Sequence, residues 1–155
     1  MESSSIKLKW NGSLDQTSPV IGVLAGNFDV IHPGYIDMFN EAADHCDKLF
    51  VCLHEDPSIE RSSKLKPILS IEDRLKILKS LKQIYYVVPY KTEKELYTYL
   101  YENEFDVRFL GEEYKDLNYT GKDLDIPIHY INRDHGWSTT QFKRKIYDSI
   151  SKLIN

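Results

Sequence analysis

The chain has 155 residues, 41% of them hydrophobic and 28% charged, which suits a single globular domain with one core. Its formal net charge of −4 argues against a general nucleic-acid or membrane-surface binder, although a local anion pocket needs only a few well-placed donors. No apolar run approaches membrane-spanning length and no signal-peptide pattern follows the Ser-rich start, so a cytoplasmic protein is expected, with neither nucleic acid nor membrane as partner.

Residues 1–19 read as a polar N-terminal extension ahead of a domain over 20–155. Within the extension, the alternating patch Ile6–Trp10 predicts either an edge strand or a loosely held tail. From Val20 on, strands and helices alternate. Val20–Ala25 is a continuous apolar run, as expected of a strand buried on both faces. Pro33 suits the first turn of a helix carrying Ile36, Met38, Phe39 and Ala43, and Lys48–His54 reads as a second buried strand. Cys46 and Cys52 fall near the end of that helix and inside that strand. With no CxxC or Cys/His cluster beside them, they are expected to be buried free thiols of a reducing compartment.

Ile71, Leu75, Leu78 and Leu81 then recur at helical spacing behind Ser70, a suitable N-cap. Tyr85–Tyr90 is strand-like, and Leu96, Tyr99 and Leu100 predict a helix over Glu93–Glu102. Asp106–Gly111 and Ile126–Ile131 supply a fourth and a fifth strand. A last helix starts near Ser138 and carries Phe142, Ile146, Ile150 and Leu153. This order predicts an α/β chain with three layers and a mainly parallel five-stranded sheet. Such sheets bind ligands beyond the strand C-termini, where strand order reverses, so the loop after the first strand is the first candidate site.

That loop holds neither a Walker-A GxxxxGK[ST] nor a GxGxxG, which disfavours kinase-type and dinucleotide-type phosphate loops. It reads Gly26-Asn27-Phe28-Asp29-Val30-Ile31-His32-Pro33-Gly34-Tyr35. Gly26 is expected to take a tight turn, His32 sits at the entrance of a helix whose free N–H groups attract phosphate, and Gly34 leaves room for a ligand. An isolated histidine in this place is more often a helix cap. The surrounding residues favour the phosphate reading.

The segment resembles the GxFDxxHxGH signature of the cytidylyltransferase-like nucleotidyltransferases. Near the C-terminus, Arg133-Asp134-His135-Gly136-Trp137-Ser138-Thr139-Thr140 resembles that family's R-T-x-G-I-S-T-T. Between them, Lys64-Leu65-Lys66-Pro67 and Glu72-Asp73-Arg74 resemble its lysine-bearing loop and the arginine opening the next helix. The short, single-domain branch that includes glycerol-3-phosphate cytidylyltransferase and related phage-encoded enzymes is the most similar. The resemblance implies a Rossmann-like fold, a divalent cation (usually Mg²⁺) and a homodimer. It further implies CTP, or alternatively ATP, as nucleotide donor. The acceptor is expected to be a phosphorylated small alcohol such as glycerol 3-phosphate, choline phosphate or ethanolamine phosphate.

Carried over by position, the resemblance implies catalytic roles for His32 and Lys64. It implies phosphate or nucleotide contacts for Gly26, Asn27, Phe28, Gly34, Lys66, Arg74, Gly111, Glu112, Arg133, Gly136, Ser138 and Thr139, and no protein metal ligand. Plainer uses exist for several of these: a solvated lysine run at 64 and 66, an N-cap cluster at 138–140, and an exposed helix arginine at 74. The chain departs from the pattern where Tyr35 replaces the second histidine, Asn27 the usual threonine, and Asp134 and Trp137 the usual threonine and isoleucine. Tyr35 is expected to replace the missing donor with its hydroxyl. Its presence also raises a different reading, a non-catalytic nucleotide-binding module.

Overall fold

The computed structural model describes residues 18–154 and, ahead of them, the backbone of Lys7–Leu8 and Leu14–Asp15. These two short strands, β1 and β2, pair antiparallel with each other in a sheet of their own. The part of the alternating patch that is described thus forms a local pair and not an edge of the main sheet; Ile6, Lys9 and Trp10 lie outside the described residues.

The main sheet holds β3 (Ile21–Gly26), β4 (Lys48–His54), β5 (Tyr86–Tyr90), β6 (Val107–Gly111) and β7 (Ile128–Ile131), in the order β5-β4-β3-β6-β7. Every neighbouring pair is parallel. Side chains alternate across each strand, and that alternation divides the core in two. Leu24, Val51 and Leu53 point toward Phe39 and Ala42 of α1 (Pro33–Asp44) and Leu78 of α2 (Ile71–Lys79). Val23 and Cys52 point the other way, onto Leu96 and Leu100 of α3 (Glu93–Glu102). The continuous apolar runs of β3 and β4 follow from this, since both their faces meet helices. The expected three-layer, Rossmann-like α/β fold is what the chain adopts.

Local signals place the elements. Ser70 and Thr92 accept hydrogen bonds from Asp73 N and Glu95 N, each at 3.1 Å, and so cap α2 and α3. Pro89 is tolerated because β5 is an edge strand. Cys52 is buried and Cys46 only half-buried, its thiol donating to Ala42 O at 3.3 Å. Burial pushes the two thiols up to about 11 (Cys46) and about 12 (Cys52), so neither is a nucleophile at neutral pH. α4 (Thr139–Ile154) differs from α1, α2 and α3 in having no buried residue, and Ile146, Ile150 and Leu153 are exposed.

The strand order reverses between β3 and β6. Their register pairs Gly22 with Val107 and Val23 with Arg108 and stops there, so the C-terminal halves of the two strands part. A cleft opens at that point.

Candidate nucleotide-binding site

The cleft has a volume of about 660 Å³ and runs along the C-terminal ends of β3, β4, β5 and β6. Of the residues expected in a site, Gly26, Asn27, Phe28, Tyr35, Lys64, Gly111 and Arg133 line it. His32 and Thr139 stand directly behind Tyr35, bonded to it or to each other. Gly136 and Ser138 line a separate hollow of about 220 Å³ beside the start of α4. Gly34, Lys66, Arg74 and Glu112 are on neither wall.

The loop after β3 is shaped differently from the expectation at its first residue. The left-handed backbone falls at Phe28 (φ 45°), and Gly26 does not take it. Phe28 is held there by its buried ring, which packs on Tyr35 and Phe39 with centroids 5.5 Å away in each case. Gly26 is needed for a different reason, since a Cβ there would meet the Phe28 ring at 3.0 Å.

Asp29, next in the chain, is fully buried and is a residue the sequence reading passed over. Its carboxylate accepts from Ile68 N at 2.7 Å, Leu69 N at 2.8 Å and Lys143 Nζ at 2.5 Å. Burial alone would raise its pKa. Lys143 and the two backbone donors outweigh that and hold the carboxyl below its ordinary range. The loop before α2 and the first turns of α4 are thereby fastened to one side chain.

His32 occupies the N-cap position of α1 without capping it through its side chain. Its Nε2 lies 3.1 Å from Thr139 Oγ1, and Tyr35 Oη lies 2.7 Å from the same oxygen. The imidazole is stacked between Tyr35 (centroids 4.3 Å apart) and Trp137 (5.2 Å apart), and its Nδ1 is buried with no partner. Burial, helped by the nearby Arg133 guanidinium, pulls its pKa down, so the resting imidazole is neutral at pH 7. Burial pushes the Tyr35 phenol up, and it stays a protonated donor.

Gly34 has a use other than the one expected. A Cβ there would lie 2.6 Å from Trp137 Cβ and 2.8 Å from His135 Cε1, so the missing side chain makes room for the C-terminal loop rather than for a ligand. That loop turns at Gly136 (φ 76°), and Ser138 Oγ accepts from Gln141 N at 3.4 Å as α4 begins. Trp137, packed on His32 and Phe142, is a wall of the site.

Arg74 is neither an exposed helix residue nor a free phosphate ligand. It is 2% exposed, and its guanidinium donates to the carbonyls of Leu69, Asn27, His54 and Glu55. It ties the ends of β3 and β4 to α2, which uses up most of its donors. Lys64 and Lys66 are both exposed, and only Lys64 reaches the cleft. At the β6 end, Glu113 rather than Glu112 faces the cleft, with Arg133 Nη1 donating to it at 2.9 Å. The fold also gathers His54, Glu60 and Glu93, whose ligand atoms lie within 4.8 Å of one another, although no metal ligand was expected. These come from the ends of β4, the following loop and α3. No short-range spacing could have signalled them.

Known proteins resemble this chain in sequence and in fold. Residues 23–145 match the family model described as cytidylyltransferase-like. The chain is 29% identical over 150 residues to the bifunctional protein HldE of Granulibacter bethesdensis, covering 94% of this chain and 30% of that protein. It is 34% identical over 125 residues to the protein of the same name from Wolinella succinogenes, covering 80% of this chain and 26% of that one. The chain therefore spans less than a third of the length of these relatives. Among solved structures, a lipopolysaccharide core biosynthesis protein from Thermoplasma volcanium superposes with a TM-score of 0.61 at 22% identity, over 74% of this chain and 97% of that one.

Proposed function

The chain belongs to the cytidylyltransferase-like family of nucleotidyltransferases, and on that premise we propose that it transfers CMP from CTP to a phosphorylated small alcohol or sugar, releasing pyrophosphate. The observation that carries this reading is the junction of His32, Tyr35 and Thr139. It joins the N-termini of α1 and α4 beside the cleft where β3 and β6 part. Two helix starts with an imidazole and two hydroxyls between them make a donor-rich place for phosphate oxygens.

In the reaction, an oxygen of the acceptor's phosphate attacks the α-phosphorus, and the bond to pyrophosphate breaks. The acceptor is already an anion and needs no general base, so catalysis is alignment and charge stabilisation. His32 donates a hydrogen bond to the charge that builds on the transferring phosphate. Tyr35 and Thr139 fix the imidazole. Lys64 on the cleft wall supplies mobile positive charge, and Arg133 supplies charge held in place by Glu113. For phosphate to reach His32, the loop carrying His135 and Trp137 must move away from Gly34.

Mg²⁺ is proposed to enter with the triphosphate, whose charge it balances. Asp29 and Glu113 are poor metal ligands here, because both Asp29 oxygens are taken by Ile68, Leu69 and Lys143, and Glu113 is paired with Arg133, which leaves His54, Glu60 and Glu93 as the metal-type cluster among the described residues. ATP is the second donor reading. Glu113 offers an acceptor for an exocyclic amine, which cytosine and adenine share. The name of the Thermoplasma relative, lipopolysaccharide core biosynthesis, supports a sugar or polyol phosphate over a choline-type acceptor.

A cytoplasmic location and a homodimer belong to the same proposal. No helix among the described residues is long and apolar enough to cross a membrane. The exposed Ile146, Ile150 and Leu153 of α4 make a face of the kind a second subunit covers. Sedimentation at micromolar concentration should show a dimer, and a monomer with and without nucleotide would refute it.

Thermal unfolding of the whole chain with Mg²⁺ and either nucleotide tests the donor. CTP is expected to raise the midpoint more than ATP at equal concentration, since a ligand stabilises the state that binds it. Equal or greater stabilisation by ATP would move the reading to adenylyl transfer, and no shift with either would end it.

A further inference from the structure

We propose that the α3-side wall of the cleft receives an oxyanion carried by the acceptor in addition to its reacting phosphate, with Arg108 as the residue that selects it. This rests on the nucleotidyltransferase reading only for the identity of the ligand as an acceptor.

Arg108 sits in β6 between β3 and β7, where a strand of this sheet would ordinarily carry an apolar residue. It is 4% exposed, yet it lines the cleft. One hydrogen bond holds it, from Nη1 to Thr120 O, and its guanidinium lies over the Tyr119 ring with Cζ 5.2 Å from the centroid. Among the described residues no carboxylate comes within 4.0 Å of its nitrogens. A guanidinium has five N–H donors and stays charged, so most of this group's donors remain to meet a ligand in the cleft, while its charge is only partly offset by the Tyr119 ring and by Glu93 beyond ion-pair distance. Arg74 is the contrast, because its donors are spread over four carbonyls.

The neighbouring groups say what else the ligand carries. Glu93 accepts from Thr120 Oγ1 at 2.6 Å through one oxygen, while its other oxygen is buried, accepts no hydrogen bond, and has His54 Nδ1 at 3.4 Å and Arg61 Nη2 at 3.8 Å. Thr120 thus connects the two residues, its carbonyl taking Arg108 and its hydroxyl giving to Glu93. A fork of donors with no ion pair of its own stands near a carboxylate whose second oxygen has only the longer contacts to His54 and Arg61. A hydroxylated carbon chain ending in a carboxylate or a second phosphate satisfies both, its hydroxyl donating to Glu93 and its oxyanion receiving Arg108. A choline or ethanolamine headgroup would set a cation against Arg108.

Calorimetric titration of the whole chain, with Mg²⁺ and a non-hydrolysable nucleotide present, tests this with matched ligands. Glucose 1-phosphate is compared with glucuronic acid 1-phosphate, which adds a carboxylate, and with glucose 1,6-bisphosphate, which adds a phosphate. At least one acidic ligand should bind about tenfold or more tighter than its neutral match, as a desolvated charge pair allows. Arg108→Leu should erase that preference while leaving nucleotide affinity unchanged. Arg108→Lys, which keeps the charge but not the fork, should retain part of it and serves if the Leu variant does not fold. No preference for either acidic ligand, or a preference that survives in both variants, overturns the proposal. The nucleotide titration in the same series reports separately on the transferase reading: absent nucleotide binding defeats that reading, while the ligand pairs still score Arg108.

Discussion

Thr139 Oγ1 is the point at which the loop after β3 and the start of α4 meet, with His32 Nε2 at 3.1 Å and Tyr35 Oη at 2.7 Å. Tyr35 replaces the family's second histidine, and the structure gives its hydroxyl a definite partner in that oxygen. Tyr35→Phe keeps the ring packing against Phe28 and His32 and removes only this bond. A loss of about 1–3 kcal/mol, roughly ten- to a hundredfold in kcat/KM, is expected. Thr139→Val removes the His32 contact as well and should lose at least as much, and the double variant should be little worse than Thr139→Val alone, because the Tyr35 bond is already gone there. Wild-type kinetics in Tyr35→Phe, or full additivity in the double variant, would reduce Tyr35 to a packing residue. His32 is more deeply enclosed than its position at a loop–helix junction suggests. Its removal should therefore lower stability as well as rate.

At the scale of elements, Asp29 is the fastening between the loop before α2 and α4. α4 buries no residue of its own, so its docking depends on Lys143 and Asp29, on the Thr139 bonds and on the Phe142 contact with Trp137. Asp29→Asn should cost about 3 kcal/mol at pH 7, the lower end for breaking a buried pair, because Lys143 can swing toward solvent. The folded carboxyl titrates below its unfolded value, so the stability it contributes is complete above about pH 4 and is lost as pH falls through the folded pKa. Urea unfolding of wild type and variant should show a gap at pH 7 that narrows below about pH 4. A gap independent of pH would mean that the carboxylate's charge is not what holds α4. Element boundaries were legible where local chemistry sets them. Lys48–His54 matches its strand, and the Ser70 cap and Pro33 start are where the sequence puts them. The exposure of α4's apolar face was not legible, because helical periodicity says which face is apolar and not whether anything covers it.

Over the whole molecule, the sequence located the cleft better than it assigned the residues in it. The loop after β3 and the start of α4 converge as their motifs imply, meeting at Thr139 Oγ1, although α4 follows the edge strand β7. Gly34 and Arg74 have structural duties that the motif could not reveal, since each depends on what comes within 3 Å of it from distant parts of the chain. The groups on the α3 side, Arg108 and Glu93 with His54, are held together only by the parallel crossovers. The match to longer bifunctional relatives sets this chain as one portion of a larger arrangement in those proteins, and its own chemistry has to be measured on itself.

The most direct test of the account is release of pyrophosphate by the whole chain, given Mg²⁺, CTP or ATP, and a panel of sugar and polyol phosphates. Release should require both a nucleotide and an acceptor. In a folded His32→Ala variant it should fall by roughly two to three orders of magnitude, the usual loss when one charge-stabilising donor is removed. Nucleotide binding without pyrophosphate release from any acceptor, or an unchanged rate in the variant, would contradict the account.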